Sequence, residues 1–398
     1  MVRVAVTGLG PVSSVGTGRA AFSAALRAGR TGAAPITSFD TTGFPRVHGC
    51  EVPDFAPERL LRRLDPRGWG RTSLFAACAA RLAVDDAGLA DTAGGGTAVV
   101  MGTTSGESQE LEAMTAAVLA GGFPAVPAGV ATALPAGRIS RAVSEELAAE
   151  GESLTLATAC SASNYAIGRG YDLIVDGDAE VVVAGGADSV CRWAHAGFHR
   201  LGALAEHACT PFDADREGIL TGEGGSALVL EPLDRALARG ARVYAELLGY
   251  GLNCDARHIM APDPDSIAEC VRLAHAHAGI GPSEVDYICA HGTGTRANDA
   301  VEAAAITKVF GDVPPPVSSV KSVLGHTMGA ASGFGAIASV LAIAEGFLPP
   351  TAGWRTPDRE LAALDVVPVS RPARVRVAQN NGFAFGGNNA ITVFGEVA

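Results

Sequence analysis

The chain predicts an α/β protein whose strands are buried on both faces, and three observations carry that prediction. Short apolar runs alternate with segments of helical spacing along the whole length. The runs are nearly continuous rather than alternating polar and apolar, as a sheet covered on both sides requires. The sequence of run, turn and helix also occurs twice, which divides the chain at about 1–245 and 246–398.

The elements justify this in order. "VRVAVTG" (2–8) is a strand running into a glycine turn, with no signal-peptide pattern ahead of it. "SLFAACAARLAVDDAGL" (73–89) has helical spacing, and "TAVVMGTT" (97–104), "SLTLATA" (153–159) and "AEVVVAGGAD" (179–188) complete the first set of strands. In the second set "YAELLGYGL" (244–252) precedes the helix "SIAECVRLAHAHAGI" (266–280). "VDYICAHGTGT" (285–295), "PPVSSVKSVLGHT" (315–327), "VRVAQNNG" (375–382) and "AITVFG" (390–395) then supply strands and the turns after them. "VVMGTTSG" answers "ICAHGTGT", and "TLATACSASNYAIG" answers "SVLGHTMGAASGFG". Two copies of one unit place these turns on the same side of the molecule, where open α/β sheets collect ligands.

Composition narrows the function. The 398 residues are 48% hydrophobic and 18% charged, which suits one large or two fused domains with a packed interior. A net charge of −12 argues against nucleic acid as a partner. The most membrane-like stretch, "GAIASVLAIAEGFLPP" (335–350), is interrupted by Glu345 and ended by prolines, so a buried helix is expected and no membrane contact. The 8 cysteines are scattered without a CxxC pair, which predicts neither a disulfide framework nor a metal site, and a cytoplasmic location. Only Lys308 and Lys321 are lysines among 30 basic residues, so each needs its own explanation.

Three turns hold candidate chemistry. Cys160 sits in "TLATACSAS" among small residues, where a strand gives way to a helix; alone it reads either as a buried small hydrophobe or as a nucleophile. Among the 9 histidines, His291 in "AHGTGTRANDAVEA" and His326 in "VKSVLGHTMGAASG" lie in glycine-rich strand ends. Lys321 lies between apolar stretches, and a buried lysine needs a partner or a task.

The cysteine in "TACSAS", the histidine in "HGTGT", then "VKSVLGHTMGAASG" and the terminal "NNGFAFGGNNA" together resemble the β-ketoacyl-acyl-carrier-protein synthases, most of all the elongating enzymes of fatty acid and type II polyketide systems. The resemblance spans nearly the whole chain, from "VAVTGLGPVSSVG" (4–16) onward. It implies a thiolase-like fold, in which duplicated αβα units form a five-layered αβαβα sandwich. It also implies decarboxylative condensation of an acyl group on Cys160 with malonyl carrier protein, in fatty acid or polyketide elongation. No bound cofactor is implied; substrates arrive on the phosphopantetheine arm of an acyl carrier protein. By the same resemblance the N–H groups of Cys160 and Phe385 form an oxyanion hole, and His291 and His326 stabilise the enolate left by decarboxylation. A helix N-terminus is expected to depress the Cys160 thiol pKa. Lys321 is expected to tune the site with Glu302 as ionic partner, supported by Thr293, Thr295 and Asp299. Phe385 is expected to swing as a gate beside Phe383, on the freedom of Gly386, opposite a second loop carrying Asp255 and His258.

The implied partners are the carrier protein and a second ketosynthase-fold subunit, either an identical copy or a chain-length factor. Because carrier proteins are acidic, docking requires a local basic patch, and "PERLLRRLDPRGWGR" (57–71) offers Arg59, Arg62, Arg63, Arg67 and Arg71. A solvated helix face would look much the same. Arg296 stands where the family usually has proline, which alters the rim of the site. The principal alternative is a non-catalytic chain-length-factor-like subunit, a reading that Cys160 opposes. A dinucleotide-binding oxidoreductase is disfavoured because Pro11 interrupts the only glycine-rich first turn.

Overall fold

The computed structural model describes residues 2–89, 96–361 and 363–397. Its first half holds strands β1 (Val4–Ser13), β2 (Thr97–Gly102), β3 (Ser153–Leu156), β4 (Val181–Asp188) and β5 (Gly224–Pro232), with helices α1 (Arg71–Asp86), α2 (Arg138–Leu147) and α3 (Ala162–Val175). The second half holds β6 (Ala245–Cys254), β7 (Tyr287–Cys289), β8 (Val317–Ser318), β9 (Val377–Gly382) and β10 (Asn388–Gly395), with α4 (Pro264–Ala278), α5 (Arg296–Phe310) and α6 (Ala331–Glu345).

One hydrogen-bonded sheet runs β8-β7-β9-β10-β6-β1-β5-β4-β2-β3. Read inward from either edge, the order is third, second, fourth, fifth and first strand of that half. In both halves the second strand is parallel to the third and fourth, while the fifth is antiparallel to the fourth and first. The halves meet where β1 and β6 pair antiparallel, Val4 opposite Leu247. Helices α1 and α2 cover the outer face of the first half, α4 and α5 that of the second, and α3 packs on α6 between them. This is the five-layered, thiolase-like arrangement expected from the sequence.

The burial explains the sequence pattern. Every residue of β1, β2 and β4 is buried, as apolar runs with helices on both sides demand. The run 153–159 behaves differently: its strand ends at Leu156 and is only half-buried, because β3 is an edge strand with one flank unpaired. Gly8 and Gly10 are spacers, since a Cβ there would sit 2.1 Å from the Ala83 carbonyl oxygen and 1.9 Å from that of Ala79. Their absence of side chain lets α1 lie directly on β1. Helix α4 starts where the Asp263 carboxylate accepts from Ser266 N–H at 2.8 Å, with Pro264 at its first position, and stops at left-handed Gly279. The apolar stretch ending at Glu345 is the buried helix α6. His275 packs inside and bonds through Nε2 to Gln379 at 2.7 Å. The largest core cluster joins Val4 and Val182 of one half to Phe334 and Phe394 of the other.

Candidate active site

The duplication produces two matching turns. After β3 a 3₁₀ turn, Ala159–Ser161, leads into α3; after β8 and the short helix Lys321–Leu324, the turn Met328–Ala330 leads into α6. Both turns carry a non-glycine residue in the left-handed region, Ala159 at φ +50° and Met328 at φ +52°. That conformation costs about 1–2 kcal/mol per residue, and it is stored beside Cys160 in one turn and beside His326 in the other. The turns interlock, since Ser163 Oγ donates to the Gly329 carbonyl at 2.5 Å.

A cavity of about 640 Å³, open to solvent, is lined by Cys160, His291, His326, Thr293, Phe383 and Phe385. The thiol from one half therefore faces two imidazoles from the other, whose ring centroids lie 5.7 Å apart. His291 Nδ1 accepts from Phe383 N–H at 3.3 Å, and His326 Nδ1 accepts from Met328 N–H at 3.1 Å. With Nδ1 occupied as acceptor in both rings, Nε2 carries the hydrogen, and the rings are donors. Burial pushes both imidazoles well below their ordinary pKa, and the Lys321 charge pushes the same way. Both shifts favour the neutral ring, an N–H donor through Nε2.

Lys321 is buried, and its ammonium donates to the His291 carbonyl at 2.5 Å and lies 3.5 Å from His291 Nδ1. Burial lowers its pKa, while Glu302 and nearby thiols raise it. The expected ion pair with Glu302 is corrected here: among the described residues no carboxylate lies within 4 Å of Lys321. Glu302 instead cradles the His291 turn, accepting from His291 N–H at 2.8 Å, Gly292 N–H at 2.7 Å and Asn381 Nδ2 at 2.9 Å. Its charge still acts on Lys321 across that turn, without contact.

The thiol also departs from expectation. Burial pushes Cys160 up to about 12, with Lys321 the main charge pulling it down. The resting side chain is a thiol, because desolvation of the anion outweighs the electrostatic help around it.

The supporting residues form the frame. Thr295 caps α5, accepting from Asn298 N–H at 3.3 Å, and bonds to Thr293 Oγ1 at 2.8 Å. Buried Asp299 accepts from Thr293 N–H at 3.0 Å and Phe212 N–H at 2.8 Å. Phe383 is packed inside, whereas Phe385 is 42% exposed at the mouth and meets the Phe198 ring at 6.0 Å. The two loops expected to gate the site are in contact: Gly386 N–H donates to Ile259 O at 2.8 Å, and Asp255 N–H to Gly387 O at 3.1 Å. Gly387 has φ +79°, and a Cβ on it would lie 2.0 Å from Asp255 Oδ1. His258 lines the cavity and accepts from Met260 and Ala261 N–H at 3.1 Å each.

The arginine patch divides. Arg71 is spent internally, bound to the buried Glu223 at 2.5 Å and stacked over Phe75; it is removed from the set available to a partner. Arg62 pairs with Asp85 and Arg67 with Asp65. Arg59 and Arg63 are exposed and make no ion pair among the described residues. Lys308 is exposed and pairs with Asp265 at 2.5 Å.

Two features of the frame around the site escaped the sequence reading. Asp188, at the end of β4, is fully buried and accepts from Thr104 N–H at 2.7 Å, Ser105 N–H at 3.0 Å and Gly329 N–H at 2.7 Å. It ties the loop after β2 to the turn that follows His326, and burial raises its pKa to about 6. An acid ending the otherwise apolar "VVVAGGAD" was the available signal. The second is the asparagine lock: Asn164 Nδ2 donates to Ala390 O at 2.9 Å, and Asn380 Nδ2 to Asn164 Oδ1 at 2.8 Å.

Comparison with known proteins agrees with this geometry. Residues 1–236 match the beta-ketoacyl synthase N-terminal domain family and residues 244–355 the beta-ketoacyl synthase C-terminal domain family. The chain is 38% identical to 3-oxoacyl-[acyl-carrier-protein] synthase 2 of Synechocystis sp. over 98% of its length and 97% of the relative's. It superposes on the ishigamide ketosynthase/chain length factor with a TM-score of 0.98 at 50% identity, covering 100% of both chains. A type II polyketide acyl-carrier protein in complex with its ketosynthase, bound to the hexaketide, matches with a TM-score of 0.91 at 28% identity, again over 100% of both chains.

Proposed function

The chain belongs to the β-ketoacyl synthase family, and from that premise we propose how its own residues carry the reaction. It is an acyltransferase that condenses an enzyme-bound acyl group with malonyl carrier protein, with loss of CO2. The observation that supports this assignment of roles is the single cavity shared by Cys160, His291 and His326.

In the first half-reaction Cys160 sulfur attacks the carrier thioester, and its proton ends on the departing pantetheine sulfur. Neither imidazole presents a free lone pair, so no dedicated base acts. Negative charge developing on sulfur is answered by the N-terminus of α3 and by Lys321. In the second half-reaction the Nε2–H groups of His291 and His326 bind the malonyl thioester carbonyl. As the bond to the carboxylate carbon breaks, its electron pair moves into the enolate, whose oxygen these two donors stabilise. The enolate carbon then attacks the acyl carbonyl on Cys160. The tetrahedral oxyanion is held by the N–H groups of Cys160 and Phe385, and collapse expels the sulfur, which regains a proton. Phe385 and the loop with Asp255 and His258 separate the two half-reactions in time.

Residues 1–245 supply the nucleophile and 246–398 the histidines, as two halves of one site. The carrier is received near Arg59 and Arg63, and a second ketosynthase-fold subunit completes the assembly. A cytoplasmic location suits the 8 free cysteines. Presence of Cys160 favours the catalyst over a chain-length-factor-like subunit. Incubation with an acyl-loaded carrier protein should leave an acyl adduct on the wild type and none on Cys160→Ala. His326→Ala should still acylate but lose malonyl decarboxylation. Equal loss of both half-reactions in His326→Ala, or no adduct on the wild type, would overturn these roles.

A further inference from the structure

Outside the catalytic cavity lies a second, larger hollow of about 1230 Å³, open to solvent and sharing Ala203, Met260, Thr295 and Phe385 with it. It adjoins the mouth of the cavity that holds Cys160. Three charged side chains line it: Arg216, Glu217 and Arg296. Arg216 is buried and committed, bound to Asp358 at 2.6 Å and facing Asp299 at 3.5 Å. Glu217 is half-exposed and leans toward Arg46 at 3.7 Å.

Arg296 is different. It is exposed, and among the described residues it makes no ion pair; its one hydrogen bond goes from Nη2 to Ala214 O at 3.3 Å. Its charge is felt at Asp358, but that carboxylate already has Arg216 as partner. Arg296 is also the first residue of α5, where the helix dipole favours an acid or proline and opposes a cation. The fold therefore keeps a guanidinium without an ion pair among the described residues, against local preference, on the wall of a hollow that adjoins the site.

We infer that Arg296 is a phosphate-binding residue, which receives the phosphate of the phosphopantetheine arm as the thioester is threaded past Thr295 toward Cys160. A guanidinium fork matches phosphate oxygens in a way a lysine ammonium does not, and in this acidic chain a local cation is needed to admit an anionic arm. This rests on the proposed carrier-borne substrate and adds the group that reads the arm's phosphate.

The test compares acylation of Cys160 by an acyl-phosphopantetheine and by the same acyl-pantetheine without phosphate. Wild type should favour the phosphorylated donor in kcat/KM. Arg296→Ala should reduce that preference on the order of tenfold while leaving the rate with acyl-pantetheine within about twofold. Arg296→Lys should restore part of it. Acyl carrier protein and acyl-coenzyme A both carry the phosphate, and Arg296→Ala should weaken both. Loss confined to the carrier protein would assign Arg296 to a protein surface and overturn the inference, as would equal loss with both pantetheine donors. Failure of every donor to acylate wild-type Cys160 would instead overturn the reading of the site itself.

Discussion

Glu302→Gln tests the link between the His291 turn and decarboxylation. The carboxylate accepts from His291 N–H at 2.8 Å and Gly292 N–H at 2.7 Å through its two separate oxygens. A carboxamide keeps one oxygen and turns an NH2 toward the other backbone N–H, so one charge-assisted bond becomes a donor–donor contact. Losing such a bond costs about 1.5–3 kcal/mol, and an unsatisfied buried N–H adds about 1–3 kcal/mol. If about 3 kcal/mol of this falls on the geometry of His291 in the transition state, decarboxylation slows on the order of 100-fold. Cys160, held by the other half, should still acylate within about threefold. CO2 release from malonyl carrier protein reads the first rate, and intact-protein mass spectrometry reads the second. Decarboxylation at wild-type rate in a folded Glu302→Gln protein would refute the reasoning, as would equal loss of both rates.

Three further perturbations address other parts. Gly387→Ala places a Cβ 2.0 Å from Asp255 Oδ1 at φ +79°, so it should push the two loops apart and slow condensation at least tenfold in steady-state assays. Arg71→Ala leaves the buried Glu223 without its cation and should destabilise by about 3–5 kcal/mol in denaturant unfolding, without altering the salt dependence of carrier binding; Arg59→Ala with Arg63→Ala should weaken that binding instead. Asp188 has a folded pKa raised to about 6, so between about pH 4 and 6 the native state holds a proton the unfolded chain has released. Its net contribution is most favourable below the ordinary aspartate pKa and falls as pH rises toward 6, by on the order of 3 kcal/mol. Plotting the stability difference between wild type and Asp188→Asn against pH should show that decline and a plateau above it.

Most of the fold was legible because burial on both faces leaves a plain mark: β1, β2 and β4 are uninterrupted apolar runs. The edge strand β3 carries the same composition, so nothing in "SLTLATA" distinguishes an edge from a centre. Cys160, His291 and His326 were found because glycine and small residues flag the strand ends that hold them. What the sequence could not provide was the partner of each charge. Lys321 and Glu302 both serve the His291 turn without touching, a relation visible only once the turn is drawn between them. Arg71 looks like its exposed neighbours in the string, and only the contact with Glu223 withdraws it from the surface. The thiol pKa was misjudged because a helix N-terminus is readable from sequence, whereas the depth of desolvation is not.

The shared core has a mechanical consequence. Because Val4 and Val182 pack in the same cluster as Phe334 and Phe394, and the asparagines bolt α3 to β9 and β10, the nucleophile and the imidazoles stand on one continuously packed frame. A turnover that must first exclude and then admit the extender unit has to draw its motion from the periphery, in the short stretches around 255–261 and 385–387. Substitutions in the frame should accordingly change how well the centre is built, and substitutions in those stretches should change how fast it cycles.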